Sequence, residues 1–306
     1  MTITPDTDLI VVGAGPAGVA AAVMAAGLHM DTLLVEATAI GSKLTVIGAL
    51  NNVPGAWTSG PELAAAHKQD ITRHQQTGRL TLLTARAERV TGHDNHAELT
   101  LHDGRTLTAH DIVVATGVTA LTTTDAPWIT TPQPLPLPPL WRMAPGDLSD
   151  RATIVLGADR PLGTWLRAHP DAPVRLEVLH PPADTYKTSE VRDDPRVSLV
   201  PVTRAVLDPL AQGQVRVTAD GPSPGGYRRT AGAVVTNLGS SPAAPAGLNR
   251  EADGYCPPDR QHPRVHVAGD LKGARMQRVS VAMGDGARAA LTAYYRGPAV
   301  SGRSAV

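Results

Sequence analysis

"DLIVVGAGPAGVAAAVMAAGLHMDTLLVEA", residues 8–37, decides the fold. Leu9 to Val12 is a continuous apolar run, as a strand buried on both faces of a parallel sheet requires. Gly13-Ala14-Gly15-Pro16-Ala17-Gly18 follows as G-x-G-x-x-G. An Ala-rich stretch predicts a helix to about Ala26, and Thr32 to Val35 predicts a second strand ending in Glu36. Each position has a reason. Gly13 permits the tight turn, Gly15 lets backbone approach a pyrophosphate, and Gly18 lets the helix pack closely on the strand. The helix start, entered through Pro16 and Ala17, faces the phosphates. Glu36, 18 residues beyond Gly18, is placed for a ribose hydroxyl. Strand, loop, helix, strand and acid in this order predict a dinucleotide-binding unit.

Two distant stretches suggest which dinucleotide. "RVHVAGDLKGARMQRVSVAMGDGARAALTAYY" (264–295) predicts a strand over Val265–Ala268, then Gly269-Asp270, then a helix from about Gln277. An Asp at a strand end can accept hydrogen bonds from ribityl hydroxyls. A helix start beside it can stabilise negative charge on a flavin pyrimidine. Asp270 as a plain turn or cap residue is the competing reading. "IVVATGVT" (112–119) adds a buried strand ending in Ala115-Thr116-Gly117.

Composition bounds the rest. A chain of 306 residues suits two domains, and 42% hydrophobic residues supply a core built without Phe. Lys plus Arg equals Asp plus Glu at 28 each, so no charge excess argues for nucleic acid or a membrane surface. The N-terminus lacks the order of a signal peptide, and Gly and Pro break every apolar run before it could span a membrane. The expectation is a cytoplasmic protein with no membrane partner. The single cysteine, Cys256, precludes an intramolecular disulfide; it reads as an ordinary thiol or as a lone reactive one. No metal site is expected.

Together the glycine loop, the "ATG" turn and the "GD" segment resemble the thioredoxin reductase-like flavoproteins of the two-dinucleotide-binding-domain group. "GSKLTVIGALNNVPG" (41–55) resembles that family's stretch beside the flavin. The resemblance implies an α/β fold: two Rossmann-like three-layer domains, the second inserted into a discontinuous FAD domain. It implies an FAD part over 1–120, an insertion over 121–239 and a second FAD part over 240–306. It further implies FAD contacts at Gly13, Gly15, Pro16, Ala17, Gly18, Glu36, Lys43, Leu44, Asn52, Ala87, Thr116, Gly117, Gly269 and Asp270. Gln277, Arg278 and Val279 fall on the family's R-Q-A tripeptide but read Q-R-V, and Lys43 replaces the usual Gln. Both departures alter the charge pattern near the isoalloxazine. The family also forms homodimers.

The inserted part departs further. The family's redox chemistry uses C-x-x-C at its start, whereas residues 125–159 contain no cysteine and seven prolines between 127 and 145. Pro136, Pro138 and Pro139 favour an extended path. Dithiol exchange needs thiolates, so a dithiol relay is excluded. Strands are expected over Ala152–Leu156, Val174–Leu179, Val197–Val202, Val215–Thr218 and Ala233–Thr236, and a short helix over Thr164–His169. The second glycine loop is degraded to Gly157-Ala158-Asp159-Arg160-Pro161-Leu162, with Asp159 where backbone must approach phosphate. The next strand ends in His180-Pro181-Pro182, without the basic residues for NADPH or the acid for NADH. NAD(P)H binding is therefore doubtful. The loop reads as one that has lost its nucleotide, with a divergent working site and reuse for another anion as the other readings.

These readings imply an FAD-dependent oxidoreductase that oxidises a small molecule directly at the flavin, with oxygen or a protein as acceptor. A tailoring role in specialised metabolism is one expectation. An NAD(P)H-driven reductase of a quinone, ferredoxin or small oxidised substrate is the alternative, and a non-catalytic FAD-binding protein the third. Lys43 and Arg278 are the catalytic candidates, as cations that stabilise charge on reduced flavin; Asn52 and Arg275 join them in lining the site. His29, His180, His262 and His266 are candidate bases.

Overall fold

The computed structural model describes residues 5–148, 152–221 and 226–296. The chain divides into two compact units. The first comprises residues 1–45, 50–119 and 241–306, the second 46–49 and 120–240.

The first unit starts with β1 (Thr7–Val12), α1 (Pro16–Gly27) and β2 (Thr32–Glu36). β1 and β2 pair in parallel, with Leu9 opposite Thr32 and Val12 opposite Val35. The parallel pairing needs a crossover, which α1 provides. After α2 (Gly60–Gln76), β3 (Leu80–Thr84) joins the free edge of β2 in parallel. Ser59 caps α2 by accepting from Glu62 N at 3.4 Å, and Glu62 in turn accepts from the Thr58 amide and hydroxyl at 2.9 Å. β4 (Ala87–Gly92), β5 (Ala97–Leu101) and β6 (Thr106–Val114) form an antiparallel meander. β6 changes partners along its length. One edge pairs in parallel with β1; on the other edge the start of β6 pairs antiparallel with β5, and its end, Ile112–Val114, takes a parallel strand from late in the chain.

The chain leaves through β7 (Val118–Ala120). In the second unit, β8 (Ile129–Thr130) precedes the Pro-rich stretch and α3 (Pro145–Leu148). Prolines cannot donate to a ladder but their carbonyls can accept. Accordingly, Thr236 N donates to Pro138 O at 2.9 Å, so the extended segment lies along a strand edge. β9 (Ala152–Leu156), α4 (Pro161–Ala168), β10 (Arg175–His180) and β11 (Val197–Pro201) follow. β12 (Arg204–Pro209), β13 (Val215–Asp220), β14 (Tyr227–Ala231) and β15 (Ala233–Thr236) complete the unit. The order β11-β10-β9-β15 makes a parallel sheet, and β14-β13-β12-β8 a second, mixed sheet. Ile154, Leu156 and Leu179 share one core with Leu207, Val217 and Ala219. The helix expected over Thr164–His169 begins earlier, because Pro161 at its first turn needs no N–H partner. β12 and β14 have no clear counterpart in the sequence reading. "YRRTA" is mostly polar and becomes a strand through its ladder with β13.

The return passes through β16 (Ser240–Pro242) to β17 (Val265–Val267) and α5 (Val279–Arg296). β17 pairs in parallel with the end of β6, His266 lying opposite Val113. The five-strand parallel order β3-β2-β1-β6-β17 is thus closed by the last described strand of the chain. α5 packs on α1 closely enough that a Cβ at Gly286 would lie 1.9 Å from Ala17 O. The Ala-rich face of α1 permits that approach. No helix among the described residues is long and apolar enough to cross a membrane.

Candidate functional site

The first glycine loop turns at the end of β1. Gly13 takes φ +97°, and a Cβ there would meet Ala115 O at 2.7 Å. A Cβ at Gly18 would fall 1.7 Å from Gly13 O, so helix and loop touch backbone to backbone. At Gly15 a Cβ would meet nothing within 4 Å. Folding therefore demands glycine at positions 13 and 18, while position 15 is open on the side where a ligand would come. Gly15 caps α1 with no side-chain hydrogen bond, Pro16 occupies the first turn, and no acid follows it. The amide dipoles of α1 are left to act on an anion.

Glu36 closes the loop from the end of β2. Its Oε2 accepts from Ala14 N at 2.6 Å, and its Oε1 accepts from Thr38 N at 2.7 Å and Thr38 Oγ1 at 2.8 Å. The acid expected at a ribose fixes the glycine loop itself. Gly41 N donates to Ala14 O at 2.8 Å, which brings the segment bearing Lys43 and buried Leu44 to the same place. Lys43 Nζ donates to Val118 O, beyond the Ala115-Thr116-Gly117 turn, and a Cβ at Gly117 would lie 3.9 Å from it. Thr116 Oγ1 is buried without a hydrogen-bond partner. An orphaned hydroxyl beside an uncapped helix start suits a polar ligand that fills both.

Asp270 sits in the short turn Gly269–Lys272 after β17. Burial pushes its carboxyl above the usual range, against the opposing pull of Lys43 and Arg278. Those two cations therefore share the electrostatic field of Asp270, although one comes from the loop after β2 and the other from the start of α5. Gln277 has a structural part in the turn as well. Its Nε2 donates to Tyr255 OH at 3.2 Å, Gly273 O at 3.1 Å and Asp270 O at 3.3 Å, strapping the turn. Because that strap holds residues 273–277 out of a helix, α5 starts at Val279 rather than Gln277. Arg278 is exposed and donates to Gln277 O at 2.8 Å; Arg275 is exposed. Ser280 Oγ donates to Asn52 O at 3.3 Å, which joins the Asn52 turn to α5. Ala87 lies in β4 opposite Leu101, at a bulge, and packs against the core of the unit.

The candidate bases have different surroundings. His266 Nε2 lies 2.8 Å from Asp111 Oδ1, and half-buried Arg264 and exposed Arg296 also face this buried carboxylate, at 3.6 and 3.9 Å. His262 packs against Gly92 and its Nδ1 accepts from Arg264 N at 3.3 Å. His29 takes φ 61° in the turn after α1, and His180 is buried in the second unit against Pro181 O. A groove of about 660 Å³ lined by Val19, Val23, Met24, His67 and Met283 shares no residue with the glycine loop.

The second loop repeats the scaffold of the first within its own unit. A Cβ at Gly157 would meet Asn237 O at 2.5 Å, as Gly13 meets Ala115 O. Asn237-Leu238-Gly239 stands to β15 as Ala115-Thr116-Gly117 stands to β6; "TNLG" at 236–239 is the signal that sequence reading missed. Two features differ. Asp159 stands where Gly15 stands in the first loop, and Asn237 Nδ2 donates to its carbonyl at 2.7 Å. The helix begins four residues after Gly157 rather than three after Gly13, and Leu162 is buried where Gly18 would pack. The Asp159 carboxylate is 3.8 Å from Lys187 Nζ, which also lies 3.0 Å from Asp184. Burial acts to lower the Lys187 pKa, but Asp184 and Asp159 together hold it above the ordinary value.

Residues 7–127 match the family described as pyridine nucleotide-disulphide oxidoreductase. A thioredoxin reductase of Mycoplasmopsis pulmonis is 28% identical over 115 residues, 36% of each chain. A thioredoxin reductase of Peptoclostridium litorale is 33% identical over 66 residues, 21% of each chain. The chain thus spans about a third and a fifth of the length of these curated relatives. Over nearly the whole chain the likeness is one of fold. Lactococcus lactis thioredoxin reductase superposes with a TM-score of 0.75 at 17% identity, covering 95% of this chain and 98% of that one. The T. acidophilum enzyme gives 0.70 at 16%, covering 96% and 99%.

Proposed function

From a chain that is thioredoxin reductase-like in fold, we propose an FAD-dependent oxidoreductase that works without dithiol chemistry and oxidises a small molecule directly at the flavin. The observation that carries this is the thiol inventory. The chain has one cysteine, so an internal C-x-x-C relay has no second sulfur. Cys256 is itself buried, and burial pushes its thiol up, away from the reactive thiolate.

FAD fits the first unit. Gly13 to Gly18 and the start of α1 would hold its pyrophosphate, Glu36 a ribose, and Asp270 the ribityl chain. The bound cofactor supplies two-electron chemistry. The chain's own residues supply the field around it. Lys43 and Arg278 both act on Asp270, and in this reading they would stabilise the negative charge that reduction adds to the flavin. A bound substrate would give up one hydride, which carries both electrons, and release a second proton to solvent; oxygen, leaving as hydrogen peroxide, or a protein acceptor would then take the two electrons away. A tailoring step in specialised metabolism is a role of this chemical type. By the family resemblance, two copies assemble as a dimer.

The second reading, an NAD(P)H-driven reductase, is favoured by the family match and by the surviving Gly157–Asn237 scaffold. One experiment separates the two. The purified flavoprotein is titrated anaerobically with NADPH and with NADH while the flavin absorbance is followed. The proposal expects no bleaching on the timescale of turnover. Rapid bleaching by either nicotinamide overturns it in favour of the reductase.

A further inference from the structure

The turn between β4 and β5 reads His93-Asp94-Asn95-His96, followed by Ala97-Glu98. His93 N donates to His96 O at 2.8 Å, so the two histidines face each other across the mouth of the hairpin. Side chains alternate along a strand. Ala97, Leu99 and Leu101 enter the core, which puts Glu98 on the opposite face, the one that His96 shares. One donor atom from each of His93, His96 and Glu98 lies within 4.8 Å of the others. The two imidazoles are stacked, with centroids 4.5 Å apart.

His96 makes the cluster unusual. It is only 5% exposed. Its Nδ1 lies 2.8 Å from Asn95 Oδ1, and its Nε2 is buried with no partner. An amide oxygen only accepts, so the neutral tautomer that pairs with Asn95 has its proton on Nδ1 and a lone pair on Nε2. A buried lone pair without a donor is costly. A metal ion would satisfy it, and an outer oxygen on the other ring nitrogen is the usual orienting contact of a metal-bound histidine. Among the described residues, the Glu98 carboxylate has no ion pair or hydrogen bond of its own to compete.

We propose that His93, His96 and Glu98 bind a divalent transition metal ion of the zinc class, with solvent in the remaining position. Two imidazoles and one carboxylate suit a borderline ion rather than magnesium or calcium, which prefer oxygen alone. Around zinc, donors at about 2.0–2.2 Å stand roughly 3.4 Å apart. The cluster must close by up to about 1.4 Å, and the stacked ring of His93 must turn so that the two nitrogens converge; half-buried His93 and Glu98 have the freedom to do so. The ion clips the mouth of a hairpin whose second strand ladders onto β6. None of the three residues takes part in the glycine loop, so the site stands independently of the flavin reading.

The test uses the full chain, stripped of metal with EDTA and desalted, then titrated with zinc by calorimetry. A single equivalent with micromolar or tighter affinity is expected, together with a thermal midpoint that rises with zinc concentration. Glu98→Gln and His93→Gln should weaken binding by roughly 10-fold or more, and Asn95→Ala by about 10–100-fold through the orientation of His96. Flavin content should not change in these variants. His96→Gln puts a polar side chain of another shape into a buried place and risks unfolding the hairpin. The half-buried Glu98→Gln and His93→Gln, checked by circular dichroism, carry the test without it. Failure of the wild type to bind zinc overturns the proposal, as does undiminished binding in the His93→Gln/Glu98→Gln double variant.

Discussion

Lys187 holds its ammonium group 3.8 Å from the carboxylate of Asp159, the residue that stands in the second glycine loop where the first has Gly15. A pyrophosphate entering that loop would meet a carboxylate whose nearest cation is already engaged with Asp184 as well. Asp159→Gly alone should therefore fail to restore rapid flavin reduction by NADPH. Leu162 and the late helix start still keep the helix amides from the approach that the first loop allows. Stopped-flow absorbance of the variant under anaerobic conditions measures this. A fast reductive phase would mean that Asp159 was the sole obstacle. Lys187→Ala should cost about 1 kcal/mol of stability, by leaving two partly buried carboxylates without their cation.

Gly15 and Gly18 should respond differently to the same substitution. Gly15→Ala adds a methyl group that meets no atom of the protein, and Gly15 already has ordinary extended backbone, so the apoprotein should keep its stability. Flavin affinity should still fall by roughly 10-fold or more, because the added atom stands where the pyrophosphate approaches. Gly18→Ala drives a methyl group into Gly13 O and should destabilise the apoprotein itself by about 1–3 kcal/mol or more. Urea unfolding of the apoproteins, with FAD titration of each, separates the two effects. Equal unfolding midpoints for both variants would contradict the packing described.

Glu36→Ala removes three acceptor contacts at once, including the one to Ala14 N. Hydrogen bonds to a charged group are worth about 1.5–3 kcal/mol each. FAD affinity should drop by on the order of 10-fold or more. Fluorescence titration of the apoprotein gives the number, and an unchanged dissociation constant would detach Glu36 from the cofactor.

Burial raises the Asp270 pKa in the folded apoprotein. A raised carboxyl pKa means that the folded state holds this proton more tightly than the unfolded one. The stability it contributes is present below the ordinary carboxylate value and is lost as pH climbs through the higher folded value. Asp270→Asn removes that loss, so relative to wild type the variant apoprotein should gain stability as pH rises across this window. Urea unfolding at several pH values between about 4 and 7 reads it. A parallel pH profile for the two proteins would show that Asp270 keeps its ordinary pKa.

The elements most legible in the sequence are those whose signal is local. β1, α1 and β2 follow from an unbroken apolar run, three glycines and an Ala-rich helix, and β9 and β15 follow from short apolar runs bounded by turns. β14 is hidden because "YRRTA" is polar and owes its state to the ladder with β13, which is a tertiary effect. The start of α5 is displaced from its expected place because the Gln277 amide, which reads as a helix former, instead ties three backbone and hydroxyl partners together. In the candidate site, Glu36 can be named from its spacing to Gly18, and Asp270 from its place after a predicted strand. The Lys187–Asp159 pair and the Asn237 turn cannot, since 28 residues separate the first two and Asn237 lies 78 residues from Asp159. The His93–His96–Glu98 cluster escapes sequence reading for a different reason. Its spacing is short, but only the hairpin shows that these side chains share one face.

The change of partner along β6 also bears on how the molecule is made. Thr106–Val114 awaits β17, which the ribosome delivers some 150 residues later, and α1 likewise awaits α5. The strands of the second unit all emerge before β17 does. That unit can therefore complete its sheets while the amino-terminal one still has an open edge on β6. The first domain to be synthesised is the last to be finished.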